Sequence, residues 1–557
     1  MLTPANFVLP CCIGAVILFG VLAIYVYTRA LSSGVLINST EFFLTAKNTQ
    51  PWYRVAWGFY ACSVGASAMF AIPQFVTDKQ YGGGYLGLFF YSFFYGFPFI
   101  IIAYSGIYIK KRFPKVLSIG SYCKWRFGKP FATWVTLNVL FNLGIALCAE
   151  LTAVGSLSNT LLGVSPWIPI VTVAIVTMIY TTVGGLYVSI LTDQIQSIFI
   201  LLILAIVGIF VAFNFRISAL PPLPDYLGLT PVGEASVMTL GVALTSSTFF
   251  SDAIWQRVWA AKDDKALIMG AYSGAFLAML VTFLFGFGGY IAAWAGLVNN
   301  PQTAFLELLK INGDIPLAML LCICLISVTM NESAVDAFQI AISDTIMALL
   351  ESFGLHVPLW LARVVLICLN IPFIIIGCLQ FNIIGLYLIT NLLTTCLILP
   401  LFLGLIPKLD RIVTGSAVLF GSLFALLDIV FYAIGSQLIS QVGSFDLSKL
   451  TWDIVSTGIV TTFYLVYAWQ PFAIGLLGSL LGVGIWVMFE TLMYKVLGIE
   501  RSVPNHLLTP VPTNEPKVLL SEADVESTKL NLIDNDEIVG TLDEKEVTPV
   551  VIELSVK

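Results

Sequence analysis

Thr329, Glu332, Ser333 and Asp336 stand at i, i+3, i+4 and i+7, the spacing of one stripe along a helix. Two carboxylates and two hydroxyls on one face can bind a cation, bind a polar solute, or hold one another in a structural network. Their flanks, 320–328 and 337–350, are largely apolar. Polar side chains in such a setting are costly against lipid, so the stripe must face a bundle interior or a water-filled cavity.

Three further stretches place polarity where it is expensive. Residues 60–70 are rich in small side chains (Ala61, Cys62, Ser63, Gly65, Ala66, Ser67, Ala68) and precede Pro73. Such a segment can unwind and offer backbone carbonyls to a cation, or it can let helices pack closely. Asp193 follows Gly184 and Gly185 in Thr192-Asp193-Gln194-Ile195-Gln196. It reads either as a helix N-cap or as a way-station for a cation on the cytoplasmic side. A run with Thr245, Ser246, Ser247, Thr248, Ser251 and Asp252 ends at Arg257. There Arg257 reads as an anchor at the inner surface, and Asp252 as its ion-pair partner or as a solute contact.

The elements that position these groups follow from composition. Of 557 residues, 58% are hydrophobic and 10% charged, with a mean hydropathy of +0.94. Soluble domains carry about 25% charged residues, so most of this surface must face lipid. The apolar runs are continuous and near the roughly 20 residues that cross a bilayer as a helix. The expected fold is all-α and polytopic, with about thirteen spans near 7–28, 54–77, 83–109, 131–157, 166–188, 193–214, 235–256, 268–297, 316–349, 358–378, 381–404, 411–437 and 472–496. Thr451–Trp469 is shorter, carries Asp453, and reads as a packed external segment.

Charge sets the topology. With the N-terminus outside, seventeen Lys and Arg fall in cytoplasmic loops and four in external ones. The first run, Phe7–Tyr27, has no Lys or Arg before it and reads as a true span rather than a signal peptide. The sequon Asn38-Ser39-Thr40 then lies inside. The formal charge of −6 is concentrated in the tail beyond Arg501, where eleven acids oppose four lysines. That tail, 501–557, reads as an acidic, disordered cytoplasmic terminus. No basic patch exceeds what topology explains, so nucleic acid is not an expected partner. Nine of ten cysteines lie in apolar runs and the two histidines are far apart, which points to no disulfide framework, no metal site, no cofactor and no enzyme.

Several of these segments resemble the sodium/solute symporter family. Glu41-Phe42-Phe43-Leu44-Thr45-Ala46-Lys47, Gly184-Gly185-Leu186 with Thr192–Ser197, Trp255–Lys262 and Ser343-Asp344 are similar to its motifs in the same order. The resemblance implies LeuT-type architecture: two inverted five-helix repeats, here 54–214 and 235–404, with the second and seventh spans broken. Around them lie 1–53, holding the first span and a cytoplasmic loop, and 405–500, holding additional C-terminal helices. It also implies a cation site at the Cys62, Gly65 and Leu325 carbonyls and two adjacent hydroxyls, falling on Val328 and Thr329. Val328 has no hydroxyl, a departure that weakens a sodium site and raises proton coupling as the alternative. Asp193 matches the aspartate near the family's inner ion path.

The resemblance implies alternating-access symport of a small solute with a cation across the plasma membrane, hydrolysing nothing. Solute contacts are expected at Ala68, Met69, Phe70, Asp252, Glu332 and Asp336. Sugars are disfavoured, because Ala68 and Met69 stand where the sugar branch carries polar side chains and every buried hydroxyl needs a partner. The Trp255-Gln256-Arg257 order is similar to the fungal and plant urea-transporter branch, which makes urea or a related nitrogen compound the expected solute. The stripe acids suit a polyamine, and an amino acid remains open. A non-transporting sensor and a facilitative channel on the same scaffold are the rival readings.

Overall fold

The chain is described here from a computed structural model, which describes residues 4–32, 43, 45–79, 82–113, 116, 118–216, 221–311, 313–355 and 358–497. The sequon, the tail, Glu41, Phe42 and Leu44 lie outside the described residues.

Helices carry the fold, because an apolar backbone in lipid must satisfy its own polar groups. α1 is Pro4–Ser32; α2 (Trp52–Ala61) and α3 (Ala68–Thr77) are separated by a non-helical break at 62–67. α4 (Gly84–Arg112), the short α5 (Ile119–Phe127) and α6 (Lys129–Leu162) follow. α7 (Trp167–Asn214) spans 48 residues, about 72 Å if straight and more than twice the hydrocarbon thickness.

α8 (Pro231–Phe249) and α9 (Asp252–Ala260) are parted by Phe250 and Ser251. The set closes with α10 (Asp264–Trp294), α11 (Leu317–Ser352), α12 (Leu359–Cys378), α13 (Ile383–Leu403), α14 (Gly415–Val442), the short α15 (Trp452–Val460) and α16 (Trp469–Leu497). Among the described residues ten helices are long and apolar enough to span a membrane. The interrupted α7, the α2–α3 pair and α12 supply the remainder of about thirteen passages. Thr451–Trp469 forms α15 and an irregular turn packed on α14 and α13.

Gly185 divides α7. Its φ of 59° and ψ of −161° break the helix, and an added Cβ would lie 2.4 Å from the Phe43 carbonyl oxygen. The interruption thus falls at the double glycine, and Asp193 lies within the helix that follows rather than at its cap.

Loop ends are tied by local capping. Thr230 accepts from Gly233 N at the start of α8, Asp263 from Ala266 N at α10, and Thr414 from Ala417 N at α14. On the cytoplasmic side expected from charge, Asp410 pairs with both Arg112 and Arg126. Arg126 also donates to the Gly404 and Val413 carbonyls, tying α5 to the α13–α14 loop.

Candidate functional site

Both broken helices face α6. Two α6 side chains eight residues apart, hence on one face, supply what each break lacks. Asn142 Nδ2 donates to the Ser247 carbonyl (3.0 Å) and the Phe250 carbonyl (3.2 Å) at the α8–α9 break. Glu150 accepts from Ser67 N (3.2 Å) and Ser67 Oγ (2.5 Å) at the α2–α3 break. Unwinding strands backbone groups that must find partners inside the protein. Tyr95 adds another by donating to the Ser63 carbonyl at 2.9 Å, and Trp255 Nε1 donates to the Phe249 carbonyl at 2.7 Å.

A cavity of ≈ 100 Å³ lies between the breaks. Ser67, Tyr387 and Asn142 line it, with Tyr91 and Tyr95 from α4 and Ser247, Thr248 and Ser251 at the second break. Ala68, Ala71, Ala146 and Phe338 give it apolar walls. Rings, hydroxyls and amides without a lining carboxylate make a site for a compact polar solute. A second cavity, ≈ 90 Å³, is lined by Gln74, Asp78, Asn382, Tyr464 and Tyr467. Tyr467 links the two, since its hydroxyl accepts from Asn391, a lining residue of the first.

Of the six residues expected to meet the solute, Ala68 lines the central cavity; Met69, Phe70, Asp252, Glu332 and Asp336 do not. Met69 and Phe70 are buried in the core beside it. Asp252 accepts from Thr345 Oγ1 at 2.7 Å, and Arg257 pairs instead with Asp193, Nη2 to Oδ2, at 3.0 Å with both side chains 0% exposed. Arg257 is therefore a buried partner, not an anchor at the surface. Ser333 Oγ donates to Asp193 Oδ1 at 2.6 Å. Asp336 accepts from Tyr180 Oη (2.8 Å) and Ser189 Oγ (3.1 Å). The stripe thus engages α7 through a buried network in which one guanidinium faces several acids. Glu332 is wholly buried, with Gln196 of α7 beside it.

The residues expected to hold the cation divide between the α2–α3 break and α11, and α11 packs on α2. Cys62 caps α2 and Gly65 lies inside the break. Leu325, Val328 and Thr329 are on α11. Thr329 Oγ1 is buried without a hydrogen-bond partner. Val328 lines a different, apolar pocket with Cys12 of α1 and Cys324.

Glu150 and Asn142 escaped the sequence reading. Their signal was present: Asn138, Asn142 and Glu150 recur at fourth positions within an otherwise apolar run. Nothing in that run says that the stripe meets two broken helices.

A family model for the sodium:solute symporter family matches residues 42–353, more than half of the chain. The chain belongs to that family. This symporter is 25% identical over 413 residues to the spermidine transporter DUR31 of Candida albicans, covering 73% of this chain and 78% of that one. It is 26% identical over 296 residues to the sodium/glucose cotransporter of Vibrio parahaemolyticus, covering 48% and 51%. Its fold matches a substrate-bound, outward-open Na+-coupled sialic acid symporter with a TM-score of 0.63 at 15% identity, over 87% of this chain and 98% of the other. Membership makes the symporter an integral membrane transporter of a solute with a cation, and not an enzyme.

Proposed function

We propose that this symporter carries a small nitrogen compound across the plasma membrane by alternating access, with its N-terminus outside and its C-terminus in the cytoplasm. The solute binds in the cavity between the two breaks; that placement is the observation that carries the reading. Two sets of unwound backbone, each held by α6, meet around one polar space, so a ligand there touches elements from both halves of the fold. Residues 54–214 and 235–404 act as the two repeats, each opening with its broken helix.

The coupling cation sits at the carbonyls of Cys62, Gly65 and Leu325 with Thr329 Oγ1. Sodium is the family's ion and the first to test; a proton is the alternative, because Val328 offers no oxygen. Asp193 acts beside the inner path through its ion pair with Arg257.

A polyamine is the first solute to try, supported by the spermidine transporter among the relatives. Urea is the second, supported by the small size of the cavity. The test is uptake of labelled spermidine, urea and proline into proteoliposomes under separate sodium and proton gradients. Accumulation of one of them that follows a cation gradient is expected. Uptake indifferent to both gradients would sink the symport reading.

A further inference from the structure

The geometry points to Glu150 as the group that makes the central cavity select a cationic ammonium over a neutral solute, and this rests on the cavity being the solute site. Glu150 is 1% exposed on a membrane-spanning helix. Its hydrogen-bond donors are all neutral: Ser67 N–H, Ser67 Oγ–H and the Asn331 amide, which also donates to the Glu150 carbonyl at 2.6 Å. Several donors aimed at one carboxylate offset part of what burial costs its charge. Among the described residues the ion pairs are made by other acids, and Arg257 is committed to Asp193. Buried charges are ordinarily paired, so a carboxylate held only by neutral donors favours a cation close by.

Its route to the solute is the cavity. Ser67 Oγ stands between them, 2.5 Å from Glu150 Oε1 and 2.8 Å from the Tyr387 hydroxyl, and both Ser67 and Tyr387 line the space. An ammonium that donates to Ser67 Oγ lies one hydroxyl away from the carboxylate. Tyr91, Tyr95 and Tyr387 line the same space, and tyrosine rings can hold the same charge. No lining carboxylate clamps the ligand directly, so the solute is attracted by charge and still released when the helices move. The carboxylate is also fixed in place: a Cβ added at Gly65 would fall 2.3 Å from its Cδ.

The experiment measures binding of labelled spermidine to the purified full chain, with butylamine, 1-butanol and urea as competitors. Wild type is expected to bind spermidine and to prefer butylamine to 1-butanol by about tenfold or more, the scale of a charge pair roughly 5 Å apart near a protein interior. Glu150→Gln should lose that preference and weaken spermidine by at least about tenfold, with 1-butanol unchanged; a merely structural loss would weaken both. Glu150→Asp, which keeps the charge, should retain the preference. If Glu150→Gln does not fold, the wild-type butylamine-to-butanol ratio still decides, and a ratio near one overturns the proposal. Urea bound and spermidine refused by wild type also overturns it, while leaving nitrogen-compound symport standing. A Glu150→Gln variant that changes cation half-saturation but not the ammonium preference assigns the carboxylate to the ion and likewise overturns it. Absence of cation-driven uptake for every solute, with the preference intact, fails the transport reading alone.

Discussion

Replacing Asp193 by alanine should destabilise the symporter more than any surface change could. The carboxylate is 3.0 Å from Arg257 Nη2, with both side chains fully buried, and accepts from Ser333. Without it Arg257 keeps the Ala253 carbonyl at 3.2 Å, and its Nε already lacks a partner. Removing one member of a buried pair typically costs about 3–5 kcal/mol because the survivor's charge is left uncompensated. Against a total of about 5–15 kcal/mol that is a large fraction. Removing both charges together, in Asp193→Ala with Arg257→Met, should recover most of the loss, since neutral replacement of such a pair is often near neutral. Thermal unfolding in detergent of wild type, both single variants and the double would close the cycle and isolate the coupling. The reasoning is refuted if Asp193→Ala unfolds within about 1 kcal/mol of wild type, or if the single losses simply add. A transport defect in Asp193→Asn with wild-type stability would instead return Asp193 to the ion path.

Three other outcomes follow from single positions. Gly65→Ala should displace the Glu150 carboxylate from Ser67, because the new Cβ meets three of its atoms at 2.3–2.4 Å; spermidine binding should fall at near-normal expression, and unchanged binding would contradict the packing. Thr329→Ala removes a buried hydroxyl that has no partner, so stability should change by less than about 1 kcal/mol while the cation concentration for half-maximal uptake rises. Gly185→Ala places a side chain at φ 59° against the Phe43 carbonyl and should cost at least about 1–3 kcal/mol, read as a lower unfolding temperature.

Much of the architecture was legible in the residue order. Continuous apolar runs gave the spans, because lipid permits no unsatisfied backbone. The small-residue segment before Pro73 allowed for the break at 62–67, whereas the break at Phe250 and Ser251 was expected only through the family resemblance. The i, i+3, i+4, i+7 spacing put Thr329, Glu332, Ser333 and Asp336 on one buried face. Partners were not legible. Periodicity names a face but not the surface that meets it, and here the partners are distant in sequence: Asp193 with Arg257, Glu150 with Ser67, Asp336 with Tyr180. Asp252 and Arg257, close in sequence, looked like a pair, yet helix packing gave Arg257 to α7 and Asp252 to Thr345. The amino-acid order by itself thus determined which residues cross the membrane and which may not face lipid. Only the tertiary structure decided that Ser333 and Asp336 of α11 close a network against α7 while Glu150 stands behind the cavity, because a charge buried in low dielectric goes wherever the packing puts its donors.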